Sequence, residues 1–145
     1  MSSSKYDALK LENQLCFPLY AASREVIKRY RPLLDELDLT YTQYVAMMVF
    51  WQEKAINVKA LGEKLFLDSG TLTPVLKSLE KKGYVCRRRS FEDERVLSVE
   101  ITEDGEKLKE KAVSIPQKLA SCVNLTTDES IELYRLLYKL LDKKD

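Results

Sequence analysis

The 145-residue sequence contains no histidine. That single absence excludes Ser-His-Asp triads, Cys-His dyads, HExxH zinc sites and haem held by a proximal histidine. Cysteine is scarce too: Cys16, Cys86 and Cys122 are too few and too far apart for a metal knuckle or a disulfide framework. No metal or other cofactor is expected. The longest uninterrupted apolar run, Val45–Trp51, falls far short of the ~20 residues of a membrane span. The N-terminal stretch MSSSKYDALK has no apolar signal core, so a cytoplasmic location without membrane contact is expected. Neither sign of charge dominates, since 24 Lys and Arg stand against 23 Asp and Glu. Only the distribution of charge along the chain can therefore speak of partners. With four glycines and four prolines, long helices are favoured. Apolar residues at 45% suffice for the core of one domain, with or without a dimerising extension.

Helical spacing dominates what is present. Leu15, Leu19, Ala22, Val26, Ile27 and Tyr30 share one face of a first helix over residues 15–34, expected to stop near Pro32. Thr40 and Gln43 form a capping box that opens a second helix through about Trp51. Asn57 caps a short third helix with Leu61 and Leu65 on its inner side. Asp68 caps a fourth, where Leu72, Val75, Leu76 and Leu79 make one apolar stripe, and Gly83 sits where a helix end wants positive φ. The period then changes to two. Leu97, Val99 and Ile101 alternate with Val96, Ser98 and Glu100, which predicts a strand, with Tyr84 to Arg89 as its partner and a charged connection between them. Thr102 caps a helix running to about Ile115, where Pro116 ends or kinks it, and a capping box from Thr126 to Glu129 starts the last helix. The fold class is thus mainly α with a β-hairpin wing. A helix-turn-helix module and its hairpin occupy about 40–101, within a single domain spanning 1–145. The terminal helices, about 1–36 and 103–145, carry apolar faces that the small middle module cannot cover, so dimerisation through the termini is inferred.

Charge is concentrated in one place. From Lys77 to Arg89, six cations (Lys77, Lys81, Lys82, Arg87, Arg88, Arg89) face a single acid, Glu80. A solvated basic face is the plain reading; three features favour duplex DNA. The fourth helix leads with small polar residues, Ser69, Gly70, Thr71 and Thr73, followed by Pro74, which leaves room to approach base edges in a major groove. Lys77 follows where a phosphate would be contacted, as does Lys81. The hairpin carries Arg95 where an adjacent minor groove would lie. The acids Glu92, Asp93 and Glu94 either serve turn chemistry or include an Asp93 that orients Arg95.

With these elements in order, the chain resembles the MarR-type winged helix-turn-helix repressors. The resemblance rests on Leu67-Asp68-Ser69-Gly70-Thr71-Leu72-Thr73-Pro74 together with Asp93-Glu94-Arg95 in the wing. More narrowly, Leu11-Glu12-Asn13-Gln14-Leu15-Cys16-Phe17 is similar to the hallmark of the OhrR-type organic-hydroperoxide sensors. The two segments extend the likeness over nearly the whole chain. It implies a non-enzymatic repressor, a homodimer on a palindromic double-stranded operator. Asp68, Ser69, Gly70, Thr71, Thr73, Pro74, Lys77, Arg87, Arg88, Arg89, Asp93 and Arg95 would form its DNA surface. It also implies that Cys16 is the redox-sensing thiol, with tyrosines at the positions of Tyr20, Tyr30 and Tyr41 stabilising its anion.

In this branch the reduced dimer holds the operator and oxidation by an organic hydroperoxide releases it. Because the thiolate is the attacking form, and no histidine is available, phenolic donors and a helix N-terminus are the available stabilisers. Pro18 fits best in a helix first turn, which would put Cys16 near the positive end. The resulting sulfenic acid either condenses with Cys122 of the other subunit or meets a low-molecular-weight thiol. From the residues alone, Tyr20 is equally a core tyrosine, Cys122 a bystander, and Cys86 a packing residue. Two rival functions remain at this point: a MarR-type repressor released by a small aromatic ligand, and a thiol peroxidase using Cys16.

Overall fold

The computed structural model describes residues 4–89 and 96–142. Two 3-10 segments, Lys5–Leu9 and Leu11–Asn13, lead into α1 (Cys16–Asp35). There follow α2 (Tyr41–Glu53), β1 (Ala55–Asn57), α3 (Val58–Leu65), α4 (Ser69–Lys81), β2 (Val85–Arg89), β3 (Leu97–Ile101) and α5 (Glu103–Ala112). The chain ends with α6 (Ile115–Ala120) and α7 (Thr127–Leu141). It divides into two compact units, Met1–Ile115 and Pro116–Asp145.

Local capping chemistry explains most of these boundaries in the first unit. The Thr40 hydroxyl accepts from the Gln43 N–H, and the Gln43 side chain accepts from the Thr40 N–H, closing the capping box of α2. Asn57 accepts from Ala60, Asp68 from Thr71 and Thr102 from Gly105, so α3, α4 and α5 each start on the expected residue. Gly83, at φ +85°, turns the chain from α4 into β2.

One boundary differs from expectation. α1 does not stop near Pro32 but runs through it to Asp35. Pro32 removes the bond to the Lys28 carbonyl, and Lys28 lies on the exposed side of α1, where water can take the place of that bond. An interruption is present near Pro116, but earlier than expected: α5 ends at Ala112, short of Ile115, and Pro116 stands in the first turn of α6, where a missing N–H costs little.

The strands form an antiparallel sheet in the order β1-β3-β2. The expected hairpin is β2 with β3, in the register Val85↔Ile101, Arg87↔Val99 and Arg89↔Leu97. β1 adds a third strand, pairing Ile56 with Val99.

The core of this unit centres on α2. Tyr44, Ala46, Met47 and Phe50 are buried, and against them pack Leu61 of α3, Leu72, Leu76 and Leu79 of α4, Val85 and Val99 of the sheet and Leu108 of α5. A helix this apolar on most sides belongs in an interior. Gly105 has a steric role: a Cβ there would meet the Tyr84 carbonyl oxygen at 2.3 Å, so the start of α5 can lie against the entry to β2 only without a side chain.

In the second unit α7 starts on the expected capping box, with the Thr126 and Glu129 side chains each accepting from the other's backbone N–H. Tyr134 and Tyr138 lie one turn apart on it with ring centroids 4.7 Å from each other.

Candidate nucleic-acid interface and sensor site

The apolar stripe of α4 fixes which side of that helix can face a partner. Leu72, Leu76 and Leu79 are buried, so Ser69, Gly70, Thr71, Thr73, Pro74, Lys77 and Lys81 are turned outward and all are exposed. The leading turn is thereby lined by small polar side chains, with two ammonium groups behind it. Asp68 is the residue on which this turn is built. Its carboxylate accepts from the Thr71 N–H at 2.7 Å, which holds its pKa below the usual carboxylate value. The Thr73 hydroxyl is turned back onto the Ser69 carbonyl at 2.7 Å.

The three arginines of β2 have different surroundings. Arg87 is engaged by Glu80 of α4: its backbone N–H donates to Oε2 at 3.1 Å and its guanidinium to Oε1 at 3.0 Å. These donors lower the Glu80 pKa, the side-chain bond being the largest cause. Arg88 and Arg89 are exposed, Arg88 lying 3.4 Å from Glu100. Asp93 and Arg95 lie outside the described residues. The lone acid in a basic stretch, seven residues before Arg87, was the available sign of the Glu80 pairing.

The start of α4 and its end are held differently. Near the end, the Gln43 side chain donates to the Ser78 hydroxyl at 2.9 Å, and the Lys82 ammonium donates to Gln43 Oε1 at 3.2 Å and to the Asp38 carbonyl. Sequence reading finds Gln43 as a cap but not as the partner of Ser78, since nothing local signals a bond across thirty-five positions.

The thiols occupy contrasting places. Cys16 is the first residue of α1 and is exposed, with Pro18 in the same first turn, as expected. Ahead of it, the Asn13 side chain donates to the Asp7 carbonyl at 2.7 Å, while Gln14 Nε2 bonds the carbonyls of Ala8 and Lys10. These bonds fold the leader segment back on itself. Cys86 is half-buried on β2, opposite Glu100. Cys122 is exposed in the second unit, its Sγ 3.6 Å from the Lys118 carbonyl.

Of the three tyrosines assigned to the thiol, two converge. Tyr30 and Tyr41 have ring centroids 4.9 Å apart, and Tyr44, which sequence reading did not single out, lies 5.8 Å from Tyr30 and 6.3 Å from Tyr41. Burial pushes the Tyr30 phenol up to about 12, with Tyr41 and Tyr44 adding to the effect; burial also raises Tyr41 and Tyr44. All three therefore remain protonated hydrogen-bond donors at neutral pH. Tyr20 lies elsewhere, one turn after Cys16, exposed and with the Arg24 guanidinium 5.4 Å over its ring. Cys16 and Tyr30 stand fourteen positions apart on the continuous α1, or about 21 Å along its axis at 1.5 Å per residue. Within one chain the thiol and the paired phenols do not meet.

Comparison with known proteins gives a consistent picture. The family model described as transcriptional regulator SarA/Rot matches residues 28–112. The organic hydroperoxide resistance transcriptional regulator of Bacillus subtilis (strain 168) is 50% identical, over 96% of this chain and 95% of its own length. Among solved structures, reduced AbfR bound to DNA, from a protein of Staphylococcus epidermidis, is 34% identical with a TM-score of 0.78, covering 95% of this chain and 96% of that one. AbfR in its disulfide-formed state is 33% identical at a TM-score of 0.65, covering 95% and 97%. A cysteine-to-serine mutant of MarR from Escherichia coli, complexed with operator DNA, is 26% identical with a TM-score of 0.77 over 97% and 100%.

Proposed function

As a chain that belongs to the SarA/Rot transcriptional regulators of the MarR winged-helix type, this protein is, we propose, a redox-sensing repressor that binds duplex DNA as a reduced homodimer and lets go when Cys16 is oxidised by an organic hydroperoxide. The observation that carries the reading is the position of Cys16: exposed, and first in a twenty-residue helix whose far end holds the tyrosine cluster. A thiol exposed at a helix start is open to an incoming peroxide, and the thiolate is the form that attacks. The likeness to a hydroperoxide-resistance regulator over nearly the full length supports the same chemistry.

DNA is engaged by α4. Its small leading residues Ser69, Gly70, Thr71 and Thr73 approach base edges, while Lys77 and Lys81 meet phosphates. Arg88 and Arg89 on β2, with Arg95 beyond it, extend the contact towards the minor groove.

Dimerisation follows from two features. α1 exposes Leu19, Val26 and Ile27, and α7 exposes Ile131, Leu133, Leu136 and Leu140, apolar surface that a monomer leaves in water. The phenols are also beyond reach of the thiol in the same chain. A two-fold arrangement that brings the start of α1 to Tyr30 and Tyr41 of the partner subunit supplies the missing donors, with Tyr20 contributed by the thiol's own helix.

The redox step balances without a cofactor. The Cys16 thiolate attacks the terminal peroxide oxygen, the O–O bond breaks, and the alkoxide leaves and takes a proton as the alcohol. Sulfur is oxidised to sulfenic acid and the peroxide is reduced. Condensation with the Cys122 thiol of the other subunit, or with a small thiol, gives a disulfide and water. Either product removes the negative charge to which the phenols donate.

The decisive experiment uses a duplex selected from random sequence by the reduced protein. Cumene hydroperoxide should weaken wild-type binding by at least about tenfold, equivalent to 1.4 kcal/mol, and leave Cys16→Ser binding unchanged. Equal loss by the treated mutant would remove Cys16 as the sensor.

A further inference from the structure

A sensor must move the helix that reads DNA, and the route for that motion is a question the terminal thiol does not answer. Among the described residues Gln43 is the one buried polar side chain that is not aromatic. A buried amide is stable only with its donors and acceptors met, because an unpaired polar atom there costs a full desolvation penalty. Gln43 meets the requirement through three partners, which tie the start of α2 to the end of α4. Its Oε1 accepts from the Thr40 N–H at 3.0 Å, which caps α2, and from the Lys82 ammonium at 3.2 Å. Its Nε2 donates to the Ser78 hydroxyl on α4 at 2.9 Å. Lys82 in turn reaches back to the Asp38 carbonyl and lies 3.7 Å from its carboxylate, in the turn between α1 and α2, where Asp38 adopts φ 54°.

Tyr41 stands at the head of this arrangement. It is the first residue of α2, next to the capping Thr40, and its ring packs on Tyr30. A displacement of Tyr41 carries the N-terminal turn of α2 with it, and the bonds of Gln43 pass that displacement to Ser78 and Lys82.

We propose that Gln43, through Ser78 and Lys82, is the positioning residue by which the tyrosine cluster sets the orientation of α4. This link rests on the reading of Cys16 as the sensor and adds to it the path from the phenols to the DNA-reading helix. Gln43 touches neither the oxidant nor DNA; it acts through α4. The amide is the side chain the task needs, since leucine would fill the space without bonds and glutamate would lose the donor to Ser78.

The test measures binding to the selected duplex before and after cumene hydroperoxide, and takes the ratio of the two affinities as the response. Ser78→Ala cuts the bond to α4 while leaving the α2 capping box intact. Its response should fall at least threefold below that of wild type, with reduced binding retained and thermal unfolding still cooperative. Ser78→Thr keeps a hydroxyl and should restore the response. Lys82→Met, which removes the second bond, serves the same measurement should Ser78→Ala fail to fold. A wild type that responds beside a Ser78→Ala that responds to the same degree would overturn the link alone. A wild type that does not respond would overturn the sensor reading and the link with it.

Discussion

Glu80 and Arg87 join α4 to the first strand of the hairpin: one carboxylate accepts from both the backbone N–H and the guanidinium of the same arginine. The pair is half-exposed, so its worth to overall stability is small. Its geometric effect is larger on the proposed reading, in which helix and hairpin meet neighbouring grooves together. Glu80→Gln should lower affinity for the selected duplex on the order of fivefold while shifting Tm by no more than a few degrees. Fluorescence anisotropy and calorimetry check the two halves. A loss of Tm without a loss of affinity would assign the pair to folding alone.

Lys77 and Thr71 occupy the same exposed side of α4 and should behave differently on DNA. Lys77→Ala should weaken binding to all sequences alike and reduce the slope of log affinity against log salt by about one. Thr71→Ala should leave that slope intact and cost about 1–3 kcal/mol of discrimination at one base pair. Salt titrations on the selected duplex and on single-base variants separate these outcomes.

On the proposed reading, Cys122 is the residue that separates the two fates of the sulfenic acid. After treatment with cumene hydroperoxide, non-reducing gels of wild type should show a covalent dimer that Cys122→Ser lacks. A monomer band alone in wild type would leave capture by a small thiol as the route, and mass spectrometry of Cys16 would then show the adduct.

The tyrosine cluster predicts an alkaline limit. Tyr30 ionises in the folded chain only near 12, against 10.0 when unfolded, so the native state holds a proton that the unfolded state has released. The stabilising contribution is complete below pH 10 and is lost as pH rises through 12. Denaturant midpoints should therefore fall across that window, in step with tyrosinate absorbance. Tyr30→Phe should flatten the fall.

Legibility of the fold in the sequence follows the range of the interactions. Thr40 with Gln43, Asn57, Asp68, Thr102 and Thr126 with Glu129 all mark helix starts through bonds spanning three residues, which a reader of the chain can see. β1 is invisible for the opposite reason. Three residues carry no period, and Ala55–Asn57 become a strand only because Val99 is already in place across from Ile56. Pro32 misleads because the penalty of a helical proline depends on whether the released carbonyl reaches water, and exposure is a tertiary property. The site divides likewise. The outward residues of α4 follow from its apolar stripe, whereas the meeting of Tyr30 with Tyr41 rests on the turn between two helices and entered the sequence reading only through family likeness. Tyr44 and the Gln43–Ser78 bond had no local sign.

The chain has a single tryptophan, and its position has a practical consequence. The Trp51 indole N–H donates to the Gly105 carbonyl at 2.9 Å, and its ring meets Tyr44 edge-on at 6.4 Å between centroids. Phenols close to an indole can pass excitation energy to it, so Trp51 is the emitter through which a change at Tyr44 would be read. The single indole thus offers a label-free optical gauge of the aromatic nest, and stopped-flow emission after mixing with peroxide would time any rearrangement that the proposed oxidation sets off.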